Sequence, residues 1–319
     1  MKNEIDLDEE YMNKIENITF NPVFIIGLQR SGTSILYKIL GETGQLNVVT
    51  AYHLLKYNEL LHNHINNLEN KAKNDLNKLF KKRGLTDREI DKISVTSDYV
   101  HEYAYLFSEK EYPRNITLKN QWLFENLCKK IMFISENDFH LLLKNTYEYR
   151  HFLFIKNIYP NAKFIFIHRN PIDVLSSTMR AWQIAYKNKN KFTALFFKRY
   201  DQYYENPLFL LAARIYYLSP FPPAVFNIIR GSAKDTTYFL KNISHLNKND
   251  YISVKFEDLC LEPNGVIMNI LDFLQINSNM DFSEFIEPRN LSLTHEVRIL
   301  KKFIFKKMKP YFEYFEYSI

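Results

Sequence analysis

Five short apolar runs punctuate the chain, at Val23–Ile26, Gly44–Val49, Leu141–Thr146, Lys163–His168 and Ile252–Phe256. Runs this short, rich in β-branched and aromatic residues and bounded by Gly, Asn or Pro, predict strands, and those apolar throughout predict strands buried on both faces. Between them the apolar residues change to helical spacing. Ser34–Leu40 opens a first helix, Lys119–Ile134 carries Trp122, Leu123, Leu127 and Ile131 on one side, and Asn170-Pro171 starts another with proline in its first turn. After Ile252–Phe256 comes a last helical stretch, VIMNILDFLQI. Strands alternating with helices predict a three-layer α/β sandwich with a central, mostly parallel sheet.

Two stretches do not fit that alternation. Lys56–Lys92 is polar and helical in pattern, with Leu60, Leu61, Ile65, Leu68, Leu76, Leu79 and Phe80 as its apolar positions and a break at Gly84 before a capping box, Thr86 to Glu89. Gln183–Asn249 is helical and aromatic, interrupted by Ser-Pro-Phe-Pro-Pro at 219–223. Regions 54–98 and 183–250 are therefore expected as helical cap insertions on one domain spanning 1–319, preceded by a polar segment at 1–18. The apolar stretch from Pro207 to Ile229 contains Arg214 and several prolines, so it is no membrane span. The tail KKFIFKKMKPYFEYFEYSI reads as a packed terminal helix rather than a membrane-docking one.

Composition adds little to this picture except an aromatic core, with 26 Phe and 22 Tyr. The net charge of +6 is spread along the chain, which suits an anionic cofactor or a membrane surface and does not call for nucleic acid. Cys128 and Cys260 are too few and too far apart for a disulfide framework or a thiolate metal site, and no metal is expected. Met1 to Asn17 is acidic and lacks an apolar targeting core, so the expected location is cytoplasmic.

The chemistry gathers where strands give way to helices. Gly27–Ser34 follows the first strand with the spacing of a P-loop, G-x-x-x-x-G-K-[ST], but Thr33 occupies the lysine position and the cation is Arg30. Successive backbone N–H groups leading into a helix still form an anion site, and Ser31, Thr33 and Ser34 add hydroxyls. The loop predicts phosphate binding without the lysine that reaches a triphosphate. Further on, Arg169 stands at the end of Lys163–His168, with Ser177 two helical turns later. A guanidinium that can fork onto phosphate and a serine hydroxyl thus stand at a second strand-to-helix junction.

These two stretches resemble the sulfotransferases that use 3′-phosphoadenosine 5′-phosphosulfate (PAPS). QRSGTS, Gln29 to Ser34, is similar to their 5′-phosphosulfate loop, with Gln29 where many have proline, and R-N-P-x-D-x-x-x-S, Arg169 to Ser177, matches their 3′-phosphate site. The resemblance implies a P-loop-NTPase-like fold, PAPS as co-substrate bound through Gln29, Arg30, Ser31, Gly32, Thr33, Ser34, Arg169 and Ser177, PAP (3′-phosphoadenosine 5′-phosphate) as product, and transfer of a sulfuryl group to a hydroxyl or amine of a small apolar or aromatic acceptor. It also implies roles for three side chains. Lys144, in a Lys-x-Thr where relatives have Lys-x-Pro, belongs near the transferring group or else lies at a strand edge. His53, just beyond the second strand, either takes the acceptor proton or packs against its helix; Tyr52 and Glu102, the latter in the acidic-aromatic segment Tyr99–Phe107, are its rivals. Arg289–Thr294 is expected to return to the cofactor. A P-loop-like nucleotide kinase and a non-catalytic nucleotide-binding protein are the alternatives; Thr33 in place of lysine stands against the first.

Overall fold

In a computed structural model, residues 6–88, 94–196, 198–286 and 292–319 are described. Five parallel strands form one sheet: β1 (Pro22–Ile26), β2 (Asn47–Val48), β3 (Leu141–Lys144), β4 (Lys163–His168) and β5 (Tyr251–Lys255), in the order β2-β3-β1-β4-β5. The strand order reverses next to β1, which is where an open α/β sheet gathers ligands beyond its carboxyl ends.

The sheet is buried on both sides because its alternating side chains feed two cores. Phe24, Ile26, Leu143, Phe164 and Phe166 pack on one face against Phe124, Leu127 and Ile131 of the helix Gln121–Ser135, and against Phe152 and Phe239. Val23, Ile25, Leu142, Ile165 and Ile167 pack on the other against the helices Thr33–Glu42 and Pro263–Leu274. The buried Tyr37 ties three elements together: its hydroxyl accepts the Val49 N–H at 2.8 Å and lies 3.2 Å from the Leu142 carbonyl.

Two further clusters carry the remaining helices. Ile172, Leu175 and Met179 of the helix Pro171–Lys187 meet Val225 and Ile229 of Ala224–Asn242, and Val297, Ile304 and Met308 of His295–Tyr314. The tail is thus a packed helix. Tyr186 and Tyr200 pack with Ala213 of the helix Pro207–Leu218, which Asn206 caps and Ser219 ends. Trp122, expected on the buried side of its helix, is instead 52% exposed, because the stripe through Leu123, Phe124, Leu127 and Ile131 faces the sheet and Trp122 lies beside it. The polar amino-terminal segment is anchored by Asp8, which pairs with Lys130 at 2.8 Å in the interior. The Glu89 half of the expected capping box, and Arg289 to Leu291 of the expected return loop, lie outside the described residues.

Candidate active site

The loop after β1 is built around two glycines. A Cβ on Gly27 would lie 2.4 Å from the Ser31 hydroxyl and 2.7 Å from the Ile167 carbonyl, so the turn closes only without one. Gly32 has φ +102°, and a Cβ there would lie 2.2 Å from the Phe256 ring. It precedes the helix Thr33–Glu42, whose first N–H groups have no intrahelical acceptor and project at the loop. Arg30 also takes a left-handed backbone, φ 72°, an uncommon state for a side chain of this size and one that clusters at binding sites. The Ser31 hydroxyl is buried without a hydrogen-bond partner, an orphan that an anion in the loop would satisfy.

The two phosphate stretches meet. Arg30 Nε donates to Ser177 Oγ at 3.2 Å, and Arg169 donates to the Arg30 carbonyl at 3.3 Å. Thr178 Oγ1 lies 3.4 Å from the Gln29 carbonyl, so successive hydroxyls of one helix hold the loop. The helix begins as the sequence suggests, with Asn170 as its cap, accepting the Ile172 N–H at 3.0 Å.

Lys144 ends β3 opposite Ile25 of β1 and is 4% exposed, which removes the strand-edge alternative. Its ammonium donates to Ser34 Oγ at 3.0 Å and pairs with Glu102. Burial pushes the Lys144 pKa down while Glu102 opposes it; burial raises the Glu102 carboxyl, and the adjacent ammonium more than reverses that, leaving it below the usual range. The departure from Lys-x-Pro is absorbed by Asn145, whose side chain accepts the Tyr147 N–H and caps the turn Thr146–Arg150.

His53 is not brought to this group. It is the third residue of the helix Ala51–Leu55 and completes a capping box: its Nδ1 accepts the Thr50 N–H at 3.1 Å while Thr50 Oγ1 accepts its own N–H at 3.4 Å. The Val48 backbone hydrogen-bonds the ring as well, and burial with the nearby Lys73 lowers its pKa to about 3. Tyr52 is fully buried in the core.

Above Arg30, Ser34 and Lys144 lies a cavity of about 600 Å³. Glu102 and His101 face it from one side, and Tyr105, Trp182, Tyr186 and Phe192 are among its aromatic walls. His101 keeps its Nδ1 3.1 Å from the Glu102 carbonyl, and burial lowers its pKa to about 4. Trp182 and Tyr186 are backed by Tyr217, stacked at 5.3 and 4.7 Å.

Residues 22–219 match the family model described as the sulfotransferase family. The chain belongs to the sulfotransferase family. That match covers both phosphate loops, Lys144, Glu102 and the first part of the helical region. Solved sulfotransferases share the fold. A sulfotransferase from Mycobacterium avium aligns over 98% of this chain and 80% of its own length at 10% identity, with a TM-score of 0.63. One from Mycobacterium tuberculosis aligns over 95% and 80% at 12% identity, with a TM-score of 0.57. A search of curated proteins gives no match.

Two site residues of this sulfotransferase escape a reading of its loops alone. Phe256, directly after β5, packs under Arg169, whose guanidinium lies 4.4 Å from the ring, and it also closes on Gly32. Glu257 accepts the Asn170 N–H at 2.9 Å and fixes the turn that follows Arg169. Their signal is position: they leave the carboxyl end of the strand next to β4. Thr294 donates its N–H to Ser176 Oγ at 2.8 Å, one residue from Ser177.

Proposed function

We propose that this chain moves a sulfuryl group from PAPS to a hydroxyl or amine of a small acceptor with aromatic or apolar surface, as one catalytic domain whose helical regions cap the site. The observation that carries the reading is the contact between the two phosphate stretches, Arg30 to Ser177 and Arg169 to the Arg30 backbone. A donor with phosphates at both its 5′ and 3′ positions is the ligand that needs two adjoining anion sites. The buried, unpartnered Ser31 hydroxyl and the helix N-terminus at Thr33 fit such a group. Gln29 and the loop from Ser31 to Ser34 would hold its 5′ side, Arg169 and Ser177 its 3′-phosphate, and PAPS supplies the activated sulfuryl group when bound.

The protein's own part is positioning and charge stabilisation. In an in-line displacement the acceptor oxygen or nitrogen forms a bond to sulfur as the bond from sulfur to the 5′-phosphate oxygen breaks, and the acceptor proton passes to a base. Arg30, Lys144 and the helix N–H groups face the charge that grows on the departing phosphate. Glu102 is our candidate base in place of His53, whose Nδ1 is engaged with the Thr50 backbone in a helix cap away from this group. As Lys144 turns toward the departing phosphate, Glu102 loses the ammonium that holds its pKa down. Burial then raises its basicity when the proton has to move. The aromatic wall of Tyr105, Trp182, Tyr186 and Phe192 suits a flat or apolar acceptor body.

We place the reaction in the cytoplasm, a reading supported by two free cysteines, the state a reducing compartment maintains. Among the described residues, no helix is long and apolar enough to cross a membrane.

Calorimetry with PAP and ADP tests the nucleotide assignment. A hydrogen bond to a charged group contributes about 1.5 to 3 kcal/mol, so PAP should bind at least ~10-fold tighter than ADP, and Arg169→Ala should remove most of that preference. Equal affinities in the unaltered protein rule the assignment out. Incubation with labelled PAPS and a metabolite extract, followed by mass spectrometry, identifies the acceptor.

A further inference from the structure

Away from the active site, the helices Ala224–Asn242 and His295–Tyr314 leave an open groove of about 700 Å³ between them. One face of the first helix supplies Phe226, Arg230, Lys234 and Lys241, spaced by whole turns, and Phe303 and Lys307 stand opposite at i and i+4. Its floor is apolar, with Ile229 and Ala233. Arg150, also on its lining, is paired with Asp235 at 2.8 Å. Arg230, Lys234, Lys241 and Lys307 have no ion-pair partner among the described residues, and no carboxylate lines the groove. Four uncompensated cations around an apolar trough repel one another unless an anion joins them.

The groove continues into exposed apolar surface. Phe226 at its mouth lies 5.7 Å from Phe221 and 6.3 Å from Phe303, and Asn227 hydrogen-bonds Tyr216 of the helix Pro207–Leu218. That helix buries Ala213 yet turns Leu208, Leu211 and Ile215, a stripe at i, i+3 and i+7, outward at 75%, 55% and 58% exposure, with Phe209 beside them at 59%. Scattered exposed apolar residues are ordinary; an exposed apolar stripe on the helix that adjoins a basic groove is not.

We infer that this face docks on an anionic lipid bilayer. The apolar stripe of Pro207–Leu218 and the phenylalanines at the groove mouth enter the headgroup boundary while Arg230, Lys234, Lys241 and Lys307 meet lipid phosphates. A small free anion would account for the cations but not for the apolar stripe, and a second copy of this basic surface would bring like charges together. A bilayer satisfies both. The same helix presents Tyr217 to the back of Trp182 and Tyr186, so the cavity wall stands directly behind the docked surface. An apolar acceptor dissolved in the membrane would then be delivered close to the site.

Sedimentation with vesicles of phosphatidylcholine, alone or mixed with phosphatidylglycerol, tests the inference on the full chain. The protein should pellet with the mixed vesicles, release as salt rises, and bind pure phosphatidylcholine far less. Reversing two charges, Arg230→Glu with Lys234→Glu, should weaken binding to mixed vesicles about 10-fold or more, since each basic side chain near such a surface contributes severalfold. Leu208→Ser with Phe209→Ser should weaken it by a similar factor. PAP affinity and thermal stability should stay unchanged in both, because all four side chains are exposed and remote from the phosphate loops; Lys307→Glu provides an independent charge reversal on the other helix. The inference is overturned if mixed vesicles are not bound, if binding ignores lipid charge, or if the reversed-charge proteins bind normally. It also fails if the chain forms a concentration-dependent dimer through Leu208 and Phe209, or captures a dispersed short-chain anionic lipid while leaving vesicles alone.

Discussion

Replacing Glu102 with glutamine changes one oxygen for a nitrogen and asks whether the carboxylate is the proton acceptor or a structural counter-ion of Lys144. A positioned base contributes about 10² to 10⁴ in rate, about 3 to 5 kcal/mol of barrier, so turnover should fall by that factor. The amide oxygen still accepts from Lys144, and Ser34 Oγ remains at 3.0 Å, so the ammonium keeps hydrogen bonds but loses its counter-charge. The stability cost should be about 1 to 3 kcal/mol and nearer the lower end, because the Glu102 side chain is 28% exposed. The protein therefore stays folded. PAP affinity should be nearly unchanged, since a base meets the acceptor and not the nucleotide. The pH dependence carries the sign. Against the opposing effect of burial, the Lys144 ammonium holds Glu102 below the ordinary glutamate range, so its carboxylate is present through neutral pH, and activity should fall only as pH drops below that ordinary range. In the glutamine protein this acidic limb should vanish. Single-turnover sulfation against pH, with calorimetry of PAP, measures all of this. Normal turnover by folded Glu102→Gln protein refutes the assignment, and so does a loss of PAP affinity as large as the loss of rate, which would make the residue a support for Lys144 alone.

Other substitutions probe the rest of the site. Arg30→Ala should lower turnover about 10²-fold or more, as removal of a preorganised charge-stabilising donor does, and Arg30→Lys should restore only part because a point charge lacks the fork; near-normal rates in folded alanine protein would exclude the role. Gly32→Ala, at φ +102° and with its new methyl 2.2 Å from Phe256, should cost at least ~1 to 2 kcal/mol of stability and weaken PAP binding by displacing the ring beneath Arg169; an unaltered melting temperature would contradict the close packing there. His53→Ala removes half of a capping box and should cost about 1 kcal/mol while leaving turnover within about 2-fold, measured by thermal melts and steady-state rates. A collapse of its rate in folded protein would return the base to His53.

The sheet and both anion loops were legible in the sequence because their signals are local. Short apolar runs, Gly27 and Gly32 in the first loop and Pro171 after Asn170 in the second each sit within a few residues, and the strands at Val23–Ile26 and Lys163–His168 formed where expected. That Arg30 meets Ser177 had no local signal, since 147 residues separate them; the family likeness implied only that both serve the same co-substrate. His53 shows the limit of local reading: past the end of a strand a histidine can face the ligand or turn back to cap its helix, and Thr50 three residues earlier favours the cap. Trp122 shows another, because helical periodicity places a bulky residue at the border of the buried stripe on either side of it. Glu102 with Lys144 and Phe256 with Arg169 had no local signature; each pair is made by elements far apart in sequence.

If Arg30 and Ser177 hold the two phosphate ends as proposed, the bond between them makes those ends energetically dependent on one another. Each side chain is a partner of the other, so a phosphate that engages either one competes with that bond. Removing Ser177 would therefore take one partner from Arg30 as well as delete a contact, and the losses from Arg30→Ala and Ser177→Ala should fail to sum by the ~0.5 to 3 kcal/mol seen for contacting pairs. Sequence change at either position is constrained by the other. A chain that drifts at Ser177 keeps an arginine at φ 72°, an uncommon backbone state for its size, with one fewer partner to hold its guanidinium in place.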